Sequence, residues 1–239
     1  MSQHSSISLS AIPNFDPRQI PVLAPDAPLP AVPRASLLTP ALQQRFAHPP
    51  HWTPEVVLEK RYSNRTEATN ASVLIPIVLR GPQQDQPTVL LTHRTARMST
   101  HSGQIAFPGG KSDPTDADAV ATALREAQEE VGLAPEFVQV LGQLPIYVTG
   151  SAFVITPVVA LVHPGFRLEA NPVEVADVFE VPLAFLMNPA NHRRHEVPWQ
   201  DTTRQWFSMP YHDLESGKEH FIWGATAGML RNFYRFLAA

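Results

Sequence analysis

The chain of 239 residues contains no cysteine. That excludes a disulfide scaffold, a thiol nucleophile and any zinc or iron–sulfur site with cysteine ligands. It also fits a reducing compartment, and a cytoplasmic setting is expected. Long apolar runs are missing as well. The longest candidate, Phe153–Val162, is interrupted by Thr156 and Pro157, far short of the roughly 20 residues that a membrane helix needs. Met1–Ser10 is polar and lacks a basic stretch, so it does not read as a secretory signal. Basic charge is scarce: 18 Lys and Arg stand against 22 Asp and Glu, a net charge of −4. No broad nucleic-acid or anionic-membrane surface is expected from that balance. The ten histidines include no His-Glu-x-x-His pair. A Gly-x-Ser-x-Gly elbow and a Walker-type phosphate loop are absent too, so three common catalytic designs have no support.

Proline, by contrast, is abundant. Eleven of the 25 prolines fall in residues 1–54. From Ile12 to Pro33 they recur every few residues, which removes backbone donors and disfavours helix and inner strand. The same stretch carries Ile20, Val22, Leu23, Leu29 and Val32, too apolar for a purely solvated linker. It is expected to run extended over the body or over a partner subunit, with one short helix at Pro40–Phe46. A homodimer would give this leader a surface to cover. The chain thus divides into a Pro-rich extension, residues 1–54, and a globular body, residues 55–239.

Within the body, Ala71–Arg80 is β-branched and apolar and reads as a buried strand, paired in a hairpin with Thr88–Arg94. A polar loop over 95–110 precedes a helix from about Ala117 to Val131, stopped by Gly132. Strands are expected at Phe137–Gln143, near Tyr147–Phe153 and at Ile155–Val162. Val175–Pro182 is ambiguous, with a strand as the candidate reading, leading to a short helix at Leu183–Met187. Val197–Trp199 and Gln205–Met209 alternate as a late hairpin, and Ala225–Leu237 is an amphipathic helix. The order predicts an α+β fold, a mixed sheet flanked by helices as an α/β/α sandwich.

Chemistry concentrates between Phe107 and Leu133. Val120, Leu124, Ala127 and Val131 form one apolar stripe of the helix. Glu126, Glu129 and Glu130 fall on the opposite face at i, i+3, i+4 spacing. Three carboxylates so close repel one another, and a hard divalent cation would reverse that cost. Arg125 can brace one of them by a bidentate pair. Thr115 and Asp118 resemble a capping box, and Gly132 suits a left-handed residue past the helix end. Gly109 and Gly110 leave room for close backbone approach.

Gly110–Leu133 resembles the Nudix box: a glycine, an acidic residue, then Arg-Glu-x-x-Glu-Glu-x-Gly and an aliphatic residue. Two departures stand out. The first acid is Asp116 rather than Glu, and eight residues separate it from Arg125, one more than in the family's box. The extra residue is assigned to the loop-to-helix junction, with Asp116 an N-cap candidate. Leu90-Leu91-Thr92-His93-Arg94, Gly103 and Phe107-Pro108-Gly109-Gly110 look like the motif that precedes the box in coenzyme A pyrophosphatases. Here Thr95 stands in the serine position and Ser99 in an arginine position; Arg97 or His101 could substitute for the missing cation.

This resemblance implies a Nudix fold and hydrolysis of a diphosphate with Mg²⁺ or Mn²⁺. The metal would neutralise the anionic ester and acidify bound water. Glu126, Glu129 and Glu130 are the expected ligands, completed by the Gly110 carbonyl, with Arg125 orienting the carboxylates. Glu174 is the candidate loop carboxylate, as ligand or general base. Arg94 and Arg97, with Gly109, are the expected contacts to a coenzyme A-like substrate. The expected products are 3′,5′-ADP and (acyl-)4′-phosphopantetheine. Two alternatives stay open. One is a Nudix pyrophosphatase for NADH, ADP-ribose or a nucleotide, which Ser99 keeps alive. The other is a non-catalytic Nudix-fold binding module, disfavoured by the intact glutamates.

Overall fold

The computed structural model describes residues 15–23, 29–55, 68–95, 103–199 and 202–239. Its centre is a mixed sheet built on two long apolar strands, β1 (Thr69–Val78) and β7 (Phe153–Val162). They pair in parallel along their whole length, and near-continuous hydrophobicity suits strands covered on both faces. The main path also includes β2 (Thr88–Arg94), β3 (Ile105–Ala106) and β5 (Val138–Gln143), in the order β3-β2-β1-β7-β5. Three further strands attach to this path. They are β4 (Gly109–Lys111) on β1, β6 (Tyr147–Val148) on β7, and β8 (Val175–Pro182) on β2. The expected mixed α+β architecture and the β1–β2 hairpin are both present.

One face is covered by α2 (Ala119–Val131), whose Ala123, Ala127 and Val131 are fully buried against Leu74, Leu90 and Val158. Across the sheet lie α1 (Thr39–Ala47), α3 (Leu183–Leu186) and α4 (Gly224–Ala238). A second sheet joins them there, with β10 (Thr202–His212) between β9 (Arg193–Trp199) and β11 (Glu219–Trp223). Ile75, Leu91, Met209, Ile222 and Phe233 belong to the core on this side.

Several local expectations are corrected. The 95–110 stretch carries β3 and β4, too short to show a period, and residues 96–102 lie outside those described. The expected strand near Tyr147–Phe153 is split: Tyr147–Val148 is β6, Ala152 turns at φ 67°, and Phe153 begins β7. The ambiguous Val175–Pro182 segment is a strand, as its candidate reading had it. The late hairpin has a third strand, β11, which the sequence reading missed. Thr115 and Asp118 do not form a capping box. Asp118 alone caps α2, accepting from the Ala121 amide at 2.8 Å, while Thr115 hydrogen-bonds Asp113. Gly132 is left-handed, at φ 70°.

The described parts of the leader cover this same chain. Val32, Leu37 and Leu42 are core residues. Leu23 N–H donates to the Arg194 carbonyl at 2.8 Å, and Phe15 meets the edge of Trp206 at 5.7 Å. The surface that the apolar leader requires is therefore supplied, for these residues, in cis.

Candidate active site

The site forms where the glycine pair of β4 passes under α2. β4 pairs with β1, and a Cβ on Gly109 would fall 2.6 Å from the Val73 Cα. Only glycine allows that approach. A Cβ on Gly110 would fall 2.6 Å from the Glu126 Cδ. The Glu126 carboxylate thus rests on the Gly110 backbone, so two of the residues expected to supply oxygen ligands are neighbours.

Glu130 lies one turn further along α2, its side chain only 3% exposed. It accepts from the Gly109 amide at 3.1 Å and pairs with Arg94 at 3.2 Å. Burial pushes its carboxyl up to about 7, against the opposing pull of that amide and Arg94. Burial also raises Glu126, which Arg125 counteracts. The negative charge of Glu174 pushes both carboxyls further in the same direction. Desolvation and like charge together disfavour the ionised forms, so an added cation would be strongly favoured here. Glu129 stays on the rim, its side chain 59% exposed.

Arg125 organises the helix face. Its NH1 reaches Glu126 at 3.0 Å and Glu129 at 2.9 Å. Its Nε and NH2 both bind Asp116 at 2.9 Å, and NH2 also donates to the Lys111 carbonyl. Asp116 is therefore not an N-cap; it anchors Arg125 by a fork-to-fork pair. Arg125 and the Asp113 amide hold the Asp116 carboxyl far below its ordinary range. Thr122 Oγ donates to it as well, at 2.8 Å. The shorter Asp and the extra loop residue still bring the acid to the arginine. The acid's place in the box was the available signal.

Other expected residues fall as follows. Arg94 is drawn inward by Glu130, and Arg97 lies outside the described residues. Glu174 sits on the loop before β8, half-buried, with its carbonyl accepting from the Thr95 amide at 2.9 Å. Among the described residues no three acidic or histidine side chains are already gathered closely enough to hold a metal. Arg94 and Arg125 instead stand on the carboxylates. The donor set itself, carboxylates and one backbone carbonyl, suits a hard divalent ion.

This glycine pair and charged helix face belong to a recognised class. The NUDIX domain family matches residues 69–219, and the chain belongs to the Nudix hydrolase family. It is similar to bacterial proteins named uncharacterized Nudix hydrolase NudL. The one from Photorhabdus laumondii is 40% identical over 171 residues, 72% of this chain and 85% of its own length. The one from Citrobacter koseri is 43% identical over 162 residues, 67% of this chain and 79% of its own. Among solved structures, the Mycobacterium smegmatis Nudix hydrolase RenU aligns with a TM-score of 0.40 at 24% identity, covering 48% of this chain and 71% of that one. Nudix hydrolases generally use divalent metal ions such as Mg²⁺ or Mn²⁺.

Proposed function

We propose that the protein hydrolyses the diphosphate of coenzyme A or its thioesters, releasing 3′,5′-ADP and 4′-phosphopantetheine or its acyl form. One observation carries the reading: two desolvated glutamates, Glu126 and Glu130, meet the Gly109–Gly110 backbone within the electrostatic reach of a third, Glu174. In this reading Glu126, Glu129, Glu130 and the Gly110 carbonyl hold Mg²⁺ or Mn²⁺. A bound divalent ion would supply charge neutralisation and an acidified water. Arg125, fixed by Asp116, keeps Glu126 and Glu129 in position. Glu174 receives the proton of the attacking water or completes the ligand set. Water adds across one P–O–P bridge: its oxygen ends on the attacked phosphorus, the bridging oxygen leaves with the other phosphate, and its two protons pass to the base and the products. In this reading Arg94 and Arg97 contact the anionic substrate, and Gly109 contributes its backbone. The sequence motif of Leu90–Arg94, Gly103 and Phe107–Gly110 supports coenzyme A as the substrate. Residues 1–54 form an extension to a catalytic body of residues 55–239.

Ser99, in place of an arginine, favours a second reading, in which the substrate is NADH, ADP-ribose or a nucleotide. Phosphate-bearing products should be measured from a panel of coenzyme A, acetyl-coenzyme A, NADH, ADP-ribose and nucleoside triphosphates with Mn²⁺. The highest kcat/KM is expected for coenzyme A or its thioester. A preference for ADP-ribose would overturn that substrate.

A further inference from the structure

Glu174 stands on a loop with little to hold it by packing. Pro172 is exposed, and Val173 is 73% exposed. Hydrogen bonds must set its position instead. At one end the Asn171 amide donates to the Glu130 carbonyl at 2.9 Å, tying the loop to the last turn of α2. Asn171 Oδ1 accepts from the Val173 amide at 3.1 Å, and the Asn171 carbonyl accepts from the amides of Glu174 and Val175. At the other end stands Thr95, the residue after β2, which is 9% exposed. Its amide donates to the Glu174 carbonyl and its Oγ to the Val173 carbonyl, both at 2.9 Å. The β2–β8 register shifts between His93 and Arg94, and just beyond that irregularity Thr95 grips the loop. Arg94 and Thr95 are neighbours, so one strand end binds Glu130 through a side chain and Glu174 through its backbone.

We propose that Thr95 is a positioning residue for Glu174. Its hydroxyl and amide set the separation between the Glu174 carboxylate and the carboxylates of α2. The proposal rests on the reading of Glu174 as a working carboxylate. Positioning of this kind acts on turnover more than on substrate capture, because about 1 Å of misplacement can cost up to ~100-fold in rate.

The test uses the full chain, Mn²⁺ and the best substrate of the panel. Thr95→Val should lower kcat about tenfold with KM within about twofold. Thr95→Ser, which keeps the hydroxyl, should restore turnover. Glu174→Gln should lower kcat further, and the double variant Thr95→Val/Glu174→Gln should be no slower than Glu174→Gln alone. Amide exchange at Glu174 and Val175 should quicken in Thr95→Val and not in Thr95→Ser. Normal turnover of Glu174→Gln overturns the Glu174 reading and this proposal with it. An impaired Glu174→Gln beside a normal Thr95→Val overturns the positioning role alone, as do additive losses in the double variant. Should Thr95→Val fail to fold, Asn171→Ala loosens the same loop from its other end. The same loss of kcat is expected there, and normal turnover would refute the latch.

Discussion

Two charge hubs in this molecule are mirror images. At the site, one arginine, Arg125, binds three carboxylates: Asp116, Glu126 and Glu129. Behind α4, one carboxylate, Glu55, binds Arg194 at 2.8 Å and Arg231 at 2.7 Å, with Arg235 at 4.0 Å. The first hub leaves negative charge in excess beside a buried Glu130, which invites a cation. The second has its excess absorbed differently. Arg231 is buried and lies over the rings of Phe207 and Tyr234, and the Glu55 amide donates to Asn232. It staples Glu55, the residue that follows the leader, to β9 and α4. Under the proposed function, the same ion-pair chemistry serves ligand recruitment in one place and anchoring in the other, according to which sign is left unbalanced.

The sharpest way to break that contrast is to neutralise the recruiting side. Glu130→Gln keeps the size and hydrogen-bonding shape of the side chain but removes its charge. Turnover should fall by about a thousandfold or more while the fold is kept, because the Gln oxygen can still accept from the Gly109 amide or from Arg94. Near-normal turnover would refute Glu130 as a ligand. Asp116→Asn tests the brace rather than the ligands. With its fork-to-fork partner weakened, Arg125 should hold Glu126 and Glu129 less firmly. About 10–100-fold loss of metal affinity or turnover is expected, the range typical of groups that orient ligands. Calorimetric titration with Mn²⁺ measures it, and unchanged affinity and turnover would leave Asp116 a loop residue.

Glu55→Ala should do the opposite: leave turnover intact and lower stability. Removing one partner of a buried pair strands the other charge. Glu55 is partly exposed and Arg231 is cushioned by two rings, so about 2 kcal/mol is expected, or ~4–8 °C in melting temperature. A variant with unchanged melting but lost activity would reverse the roles assigned to the two hubs.

The first hub was far more legible than the second. The α2 stripe, its glutamates and Gly132 all lie within one periodic segment, so helical spacing alone puts them on known faces. Asp116 was harder, because its reach to Arg125 depends on how residues 112–118 turn, which no period encodes. The Glu55 hub joins positions separated by 139 and 176 residues. Nothing local marks Glu55, Arg194 and Arg231 as partners. β11 escaped for a similar reason. Its five residues make sense as a strand only against β10, where Met209 pairs with Ile222, and through the stacking of His220 on Phe179. In the described part of the 12–33 stretch, residues 15–23 and 29–33, the prolines go with an absence of helix and of any strand beyond a single bridge, but composition could not say which surface the stretch would cover.

His192 offers the finest probe of the second hub, because it touches Arg231 itself. Its Nε2–H donates to the Leu186 carbonyl at 2.7 Å, and its Nδ1 faces Arg231 NH1 at 3.3 Å. That geometry requires the neutral ring, since a proton on Nδ1 would point at a guanidinium N–H. Burial first, and the Arg231 charge after the opposing Leu186 bond, push the ring down to about 4. The unfolded chain takes up the proton near pH 6.5. Between those limits the unfolded state binds more protons, so stability is complete above about pH 6.5 and declines as pH falls toward 4. From pH 7 to pH 5 the expected loss is about 1–2 kcal/mol from this group. His192→Gln can donate to Leu186 and accept from Arg231 without titrating. Denaturant unfolding of both proteins at pH 7 and pH 5 isolates the difference. The variant should lose less stability across that interval, and equal losses would show that Arg231 is held without His192.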